Sequence, residues 1–284
     1  TPATLHQHAY PRTTLLLAGV LTLLLFIATY FTAQHTIDTK LHQESGYHLA
    51  RLKSKLDTLL TRHAYLPIVL ARNPLLEQFL LEPTPSLQQS RDINRYLEEL
   101  NHKAGTQDLY LKNPQGLTLA SSNWQQSYSF VGNNYHFRPY FQQAMQGQLG
   151  RYFAIGSASN ERGYYFSYAL RDHHNAITGV LTAKISIANF EQEWAQDHSP
   201  ADFMITDESG VIFMASQSRW SLHALVTLTK ETQDQLQQSR RYNTQSIKPL
   251  SKNPQDVFEA NAAEWHWEGQ HYQHISQVLP PDGG

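Results

Sequence analysis

Between Thr13 and Gln34 the chain carries no charged side chain, and Leu15 to Ala33 is a nearly unbroken apolar run. Roughly 20 helical residues at ~1.5 Å each span about 30 Å, the hydrocarbon thickness of a bilayer. A secretory signal has a shorter apolar core, about 7–15 residues, followed by small residues at a cleavage site. Here the bulky Tyr30 and Phe31 crowd that place. The pattern predicts a retained transmembrane helix at 13–34. Arg12 precedes the run, and Asp38 and Lys40 follow it. This small positive-inside bias puts residues 1–12 in the cytoplasm and everything after about residue 34 in a periplasm-like space.

The 22 Lys+Arg and 24 Asp+Glu nearly cancel, for a net charge of -2, and charged residues are only 16% of the chain. Such a balance supplies no field for holding nucleic acid. With no cysteine, disulfides, a thiolate nucleophile and a Cys-ligated metal are excluded. The chain starts at Thr1 and stops at Gly284 inside an unfinished β pattern, which reads as a fragment.

Residues 35–104 form a stalk and helical region. Leu41, Leu49, Leu52, Leu56, Leu59 and Leu60 fall largely at three- and four-residue spacings, predicting a long amphipathic helix that continues out of the membrane. Pro67 and Pro74 are expected to interrupt it. A short helix follows at 75–81, then another carrying Ile93, Tyr96, Leu97 and Leu100, capped by Ser86 or Ser90. After Gly105 the apolar period falls to two. Asp108 to Ser122 reads as strand, turn, strand, and the pattern recurs without a gap at Asp202 to Ser216, sharing the first Asp, the turn Gly and the last Ser. An internal duplication follows: a module at 105–200 and a second, truncated one at 201–284. The first is expected to hold a helix at 138–146 and strands at 151–159, 163–170 and 179–187. The second holds a helix near 229–242 and strands at 265–267 and 272–279.

Dinucleotide and phosphate-loop glycine patterns, a nucleophile elbow and a zinc helix are all missing from the sequence. The 15 histidines invite a metal, but His173 and His174, beside Asp172, read as a solvated turn, and no catalytic or metal-binding residue is expected. The informative stretch is 133–187. Alternation puts Thr182, Lys184 and Ser186 on one strand face, Ser157 with Ser159, and Tyr165 with Ser167. Arg138 precedes Pro139, a residue suited to the first helical position, so its guanidinium lies near a helix N-terminus. Two cations at opposite ends of a hydroxyl-lined pocket without a carboxylate suit a small dianion. An edge-strand lysine that discourages aggregation is the plain alternative for Lys184.

The run Asn134-Tyr-His-Phe-Arg-Pro-Tyr-Phe141, then Gly150-Arg-Tyr-Phe-Ala-Ile-Gly156 and Arg162-Gly-Tyr-Tyr-Phe-Ser167, resembles the periplasmic sensor region of C4-dicarboxylate sensor histidine kinases of the DctB type. The likeness extends to Ser239-Arg-Arg-Tyr242 and to the Gln277-Val-Leu-Pro-Pro ending. The resemblance implies an α+β fold: a transmembrane helix, a long stalk helix and two tandem PAS-like (double Cache, PDC) modules with antiparallel sheets. It also implies that the membrane-distal module binds succinate, fumarate or malate. Tyr135 and Arg138 would grip one carboxylate, Ser157, Ser159, Tyr165 and Ser167 would donate hydroxyl bonds, and Lys184 would hold the second carboxylate, with Thr182 in reserve. An inner-membrane homodimer signalling to a cytoplasmic response regulator is implied as well. ATP and Mg belong to a kinase domain outside these residues. Rival readings are the same ectodomain on a chemoreceptor or cyclase, a membrane-anchored periplasmic enzyme, or a structural partner-binding ectodomain.

Overall fold

A computed structural model describes residues 12–196, 201–253, 256, 258, 264–267 and 269–278. Residues 1–11 and 279–284, which include part of the expected cytoplasmic segment and the end of the last expected strand, lie outside the described residues.

Helix α1 runs unbroken from Arg12 to Leu70. Its first turns expose Leu16, Leu17, Leu21, Leu24, Phe26 and Phe31 around the whole circumference, so length and composition suit a membrane span. The break expected at Pro67 does not occur, because a proline in the last turn forfeits only one ladder bond before the helix ends. The helix ends at Leu70, and Asn73 accepts from the Leu75 amide through its side chain (2.9 Å) to cap α2 (Pro74–Leu81). Helix α3 (Leu87–Ala104) opens on a capping box in which Ser86 and Gln89 satisfy each other's amides. It closes at Gly105 in a left-handed conformation.

Strands β1 (Asp108–Lys112), β2 (Thr118–Ser121), β3 (Gly150–Ile155), β4 (Arg162–Arg171) and β5 (Ile177–Ser186) form one antiparallel sheet in the order β2-β1-β5-β4-β3. Helix α4 (Pro139–Met145) precedes β3. The back face of the sheet, with Leu109, Leu111, Leu181 and Ala183, packs on Leu70, Leu76, Phe79 and Leu97 of the first three helices. The front face lies against α4 and the segment leading to it, through Tyr110, Phe130, Tyr135, Tyr140 and Tyr165. Both faces are thus covered, and every residue of β1 is buried. Strand β3 ends at Ile155, short of the expected residue 159, so Ser157 and Ser159 sit in the turn toward β4 and not on a strand face.

Helix α5 (Ile187–Gln196) leads into the second module. Its hairpin, β6 (Met204–Thr206) with β7 (Ile212–Ala215), repeats the turn and the ladder of the first. The turns are closed by Gly116 to Asn113 and by Gly210 to Asp207, each 94 positions apart, and both glycines have positive φ. The Leu109 amide bonds Ser122 Oγ, and the Phe203 amide bonds Ser216 Oγ. Both ladders slip at the same place, after Leu111 and after Ile205. Thereafter the halves differ. Among the described residues β8 (His223–Ala224) pairs in parallel with β9 (Lys248–Pro249), and β10 (Glu264–Trp267) pairs with β11 (Gln270–Gln273), leaving separate two-stranded ladders around α6 (Lys230–Ser239).

The modules share a core in which Leu52, Leu56, Phe153 and Ile155 meet Phe190, Trp194, Ile205, Met214 and Tyr242. Across it, Arg162 forms a fork with Glu191 (2.7 and 2.6 Å) and donates to the Phe213 carbonyl (2.7 Å). Glu191 also receives the Ala215 amide (3.0 Å). Removing one partner of a buried pair strands the other charge. Glu191→Ala should therefore cost about 3 kcal/mol, the low end of that range because both side chains keep some solvent. Thermal unfolding of the variant and parent chains checks this.

Candidate functional site

The register of the sheet assembles the front face. Tyr165 lies opposite Lys184 and Ser167 opposite Thr182 across β4 and β5. Asp108 lies opposite Lys184 and Tyr110 opposite Thr182 across β1 and β5. Because β5 is the central strand, Lys184 is no edge lysine; it is 0% exposed. Gly163 makes this possible, since a Cβ there would fall 2.7 Å from Lys184 Cε. Lys184 Nζ donates to Ser159 Oγ (2.8 Å).

A small cavity opens on this face, lined by Tyr110, Phe130, Tyr135, Arg138, Tyr140, Gly156, Ser157 and Tyr165. Its volume is about 10 Å³, room for about one water-sized sphere, so a larger occupant must part the walls. Gly156 marks one end. A Cβ on it would meet Ser159 Oγ at 2.5 Å, the Tyr165 hydroxyl at 3.1 Å and Lys184 Nζ at 3.5 Å. Three polar atoms therefore converge where only glycine fits. Arg138, 2% exposed, also lines the cavity and stands at the start of α4 as expected from Pro139. Its two Nη atoms donate to the carbonyls of Ile155 (2.9 Å) and Arg240 (2.8 Å). No carboxylate among the described residues forms an ion pair with it.

Of the residues expected in the site, Tyr135, Arg138, Ser157 and Tyr165 line the cavity, and Ser159 and Lys184 close one end. Ser167 lies elsewhere. It shares a hydrogen bond with Thr182 (2.6 Å), which in turn takes one from Lys112 Nζ, behind the aromatic wall. The sequence reading overlooked Lys112, which is wholly buried over the faces of Tyr110 and Tyr140. It also overlooked Tyr110, Phe130 and Tyr140. The signal was present in the alternation Asp108, Tyr110, Lys112 against Leu109 and Leu111. No carboxylate is among the residues lining the cavity, but two that the sequence reading did not place there stand by Lys184: Asp108, 4% exposed, is its partner across β1 and β5, and Glu161 Oε2 is 3.7 Å from Lys184 Nζ.

Burial sets the electrostatics. It pushes the hydroxyls of Tyr110, Tyr135 and Tyr165 well up and that of Tyr140 to about 12, so all four remain proton donors. It draws Lys184 down, opposed by Asp108 and Glu161. It raises Asp108 to about 6, opposed by Lys184. His173 and His174 lie in a turn closed by Asp172 and take no part in this cavity.

Known proteins share this fold. The sensor domain of the V. cholerae histidine kinase DctB has a TM-score of 0.75 and 32% identity, over 82% of this chain and 88% of that one. The chain belongs to the DctB sensor-domain family. The C4-dicarboxylate transport sensor protein DctB of Pseudomonas aeruginosa is 34% identical over 239 residues, 84% of this chain. That of Rhizobium meliloti is 33% identical over 198 residues. The chain spans 38% and 31% of the lengths of these two relatives. No protein-family model matches the chain. The α+β architecture of a DctB-type sensor region, with its long apolar N-terminal helix and antiparallel sheets, is thus the one the sequence implied.

Two outcomes are expected. Gly156→Ala should crowd Ser159 Oγ and Lys184, lowering the melting temperature and weakening any ligand that uses Lys184 beyond what the residual folded fraction explains, as read by thermal unfolding and calorimetric titration. Lys112→Met should raise stability by removing a buried cation. The folded-state pKa of Lys112 lies well below the ordinary 10.5, so the unfolded chain binds the extra proton between those values. Lys112 thus makes stability rise with pH across the interval between its lowered folded-state pKa and the ordinary 10.5, a slope that Lys112→Met should lack in pH-dependent denaturation.

Proposed function

We propose that this chain is the extracytoplasmic input region of a C4-dicarboxylate sensor kinase, anchored in the inner membrane by 13–34, with the cavity of the first module as its ligand site. The observation that carries the reading is a pair of buried cations at one hydroxyl-lined cavity, Arg138 in its lining and Lys184 behind Gly156. Among the described residues the Arg138 guanidinium hydrogen-bonds only to backbone carbonyls. A buried guanidinium in that state leaves much of its desolvation cost uncompensated, and a ligand carboxylate would supply the missing charge in a bidentate grip. Tyr135 and Ser157 stand beside it to donate further bonds. Around Gly156, Lys184, Ser159 and Tyr165 would take the second carboxylate. Ser167 and Thr182 hold Lys112 in place behind the wall.

The ligand would part the walls of the cavity and then draw its two ends together. Arg138 touches the second module directly through the Arg240 carbonyl, so a shift of the guanidinium is felt there. In a homodimer, such a shift would favour one of two signalling states by as much as the ligand's affinities for them differ. Phosphotransfer, with its ATP and Mg, and the response regulator that receives the phosphate are assigned to the longer protein and not to these residues.

The test is a titration of the 284-residue chain in lipid nanodiscs with succinate, fumarate, malate, acetate and an amino acid at equal ionic strength. Dicarboxylates alone should stabilise it, by about 2.7 kcal/mol at 100 times Kd. Lys184→Met keeps the stem and removes the charge, and it should weaken dicarboxylate binding about 30-fold, the value of roughly 2 kcal/mol for one charged hydrogen bond. Unchanged affinity in that variant would remove Lys184 from the site, and a response to the amino acid alone would refute the ligand class.

A further inference from the structure

Asp108, with Glu161, is a group near Lys184 that a dianion should repel. It starts β1 on the same face as Tyr110 and lies across from Lys184. Its Oδ2 is sealed from solvent and has no hydrogen-bond partner among the described residues. The duplicated hairpin shows that this state is not built into the motif. Asp202, 94 positions later, bonds Ser216 Oγ (2.6 Å) and Gln217 Nε2 (3.1 Å) and is exposed. In the first hairpin the matching serine, Ser122, receives the Leu109 amide, and no bond joins it to Asp108. The first module thus leaves one carboxylate oxygen of Asp108 without a hydrogen-bond partner among the described residues, at the register position opposite Lys184.

Charge counting gives that freedom a consequence. With both acids ionised, Lys184 faces Asp108 and Glu161, a local net charge of about one negative unit before any ligand arrives. Glu161 can leave, since its side chain is 55% exposed and only a contact with Gln107 and the Lys184 pairing hold it. Asp108 cannot, because it is fixed in a strand that is buried throughout. The groups facing it are Lys184 from β5, Tyr165 from β4, Glu161 from the β3–β4 turn, and Tyr128 and Tyr135 from the segment before α4. None is a histidine, and the tyrosines remain protonated. Asp108 is the group able to remove the excess negative charge.

Resting on the dicarboxylate reading of this cavity, we propose that Asp108 is a specificity-determining residue that takes up one proton from solvent as the ligand binds, so that the site captures a dicarboxylate dianion together with a proton. The proton goes to the Asp108 carboxylate, and no other bond is made or broken. The neutral acid then donates from its free oxygen to the ligand carboxylate held by Lys184. The raised proton affinity that burial gives Asp108 in the empty site agrees with this, and an added anion nearby raises it further.

The test is calorimetric titration of the 284-residue chain with fumarate, whose two carboxyls stay ionised from about pH 6 to pH 8, in buffers of differing ionisation enthalpy, with succinate as second ligand. The parent chain should take up close to one proton per fumarate above pH 7. Its affinity should fall with rising pH, approaching tenfold per unit. Asp108→Asn should bind fumarate with neither proton uptake nor this slope, and Glu161→Gln should keep both. Binding without proton uptake by the parent overturns the proposal whether or not the variants fold. Persistence of uptake in Asp108→Asn, or its loss in Glu161→Gln, overturns the assignment to Asp108. Failure of both ligands to bind at any pH overturns the dicarboxylate reading itself.

Discussion

The central place of β5 governs the first module. A strand with neighbours on both sides and layers on both faces has no route to water for a side chain in its middle, so Lys184 must be solvated by the protein itself. The structure meets this demand with the Ser159 hydroxyl, the bare backbone of Gly163 and the acids at positions 108 and 161. Lys112, one strand over, meets it differently, with a threonine hydroxyl and aromatic ring faces. These two burials are expensive, and a sheet selected for stability alone would put leucine at both positions. Their presence suits a front face proposed for recognition, while the back face, with Leu109, Leu111, Leu181, Ala183 and Phe166, is apolar and packs on the helices.

Much of this was legible in the sequence, and the reasons differ by element. Helix boundaries at Asn73, Ser86 and Gly105 could be read because caps act through neighbouring residues. Lys184 and Thr182 were placed on a shared face because a strand's period is fixed by geometry. The same rule failed at Ser157 and Ser159, where β3 gives way to a turn and alternation ends. Lys112 and Asp108 were passed over because polar alternation on a strand ordinarily marks a solvated face. Only the three-dimensional layer formed by α4 and its approach segment reveals that this face is covered. Pro67 misled for a local reason, as the proline rule speaks of helix interiors and that residue is in the final turn.

The two hairpins show how one local scaffold can serve different ends. Turn residues, serine bonds and ladder slip are held in common, yet one initial aspartate is knotted into hydrogen bonds at the surface and the other is sunk beside a lysine. What separates them is the layer packed outside the strand. Burial, more than residue identity, decides whether a carboxylate is structural or functional.

The unbroken α1 also has a mechanical meaning. Its 59 residues make a rod about 88 Å long at ~1.5 Å per residue, over which a tilt of about one degree displaces the far end by about 1.5 Å. The end of the rod near Leu70 packs against the back of the ligand-facing sheet, and its middle packs on the core shared by both modules. With a fulcrum at that core, sub-ångström adjustments behind the cavity become movements at the membrane comparable to a helical rise. The protein needs no large rearrangement at the cavity to produce one there.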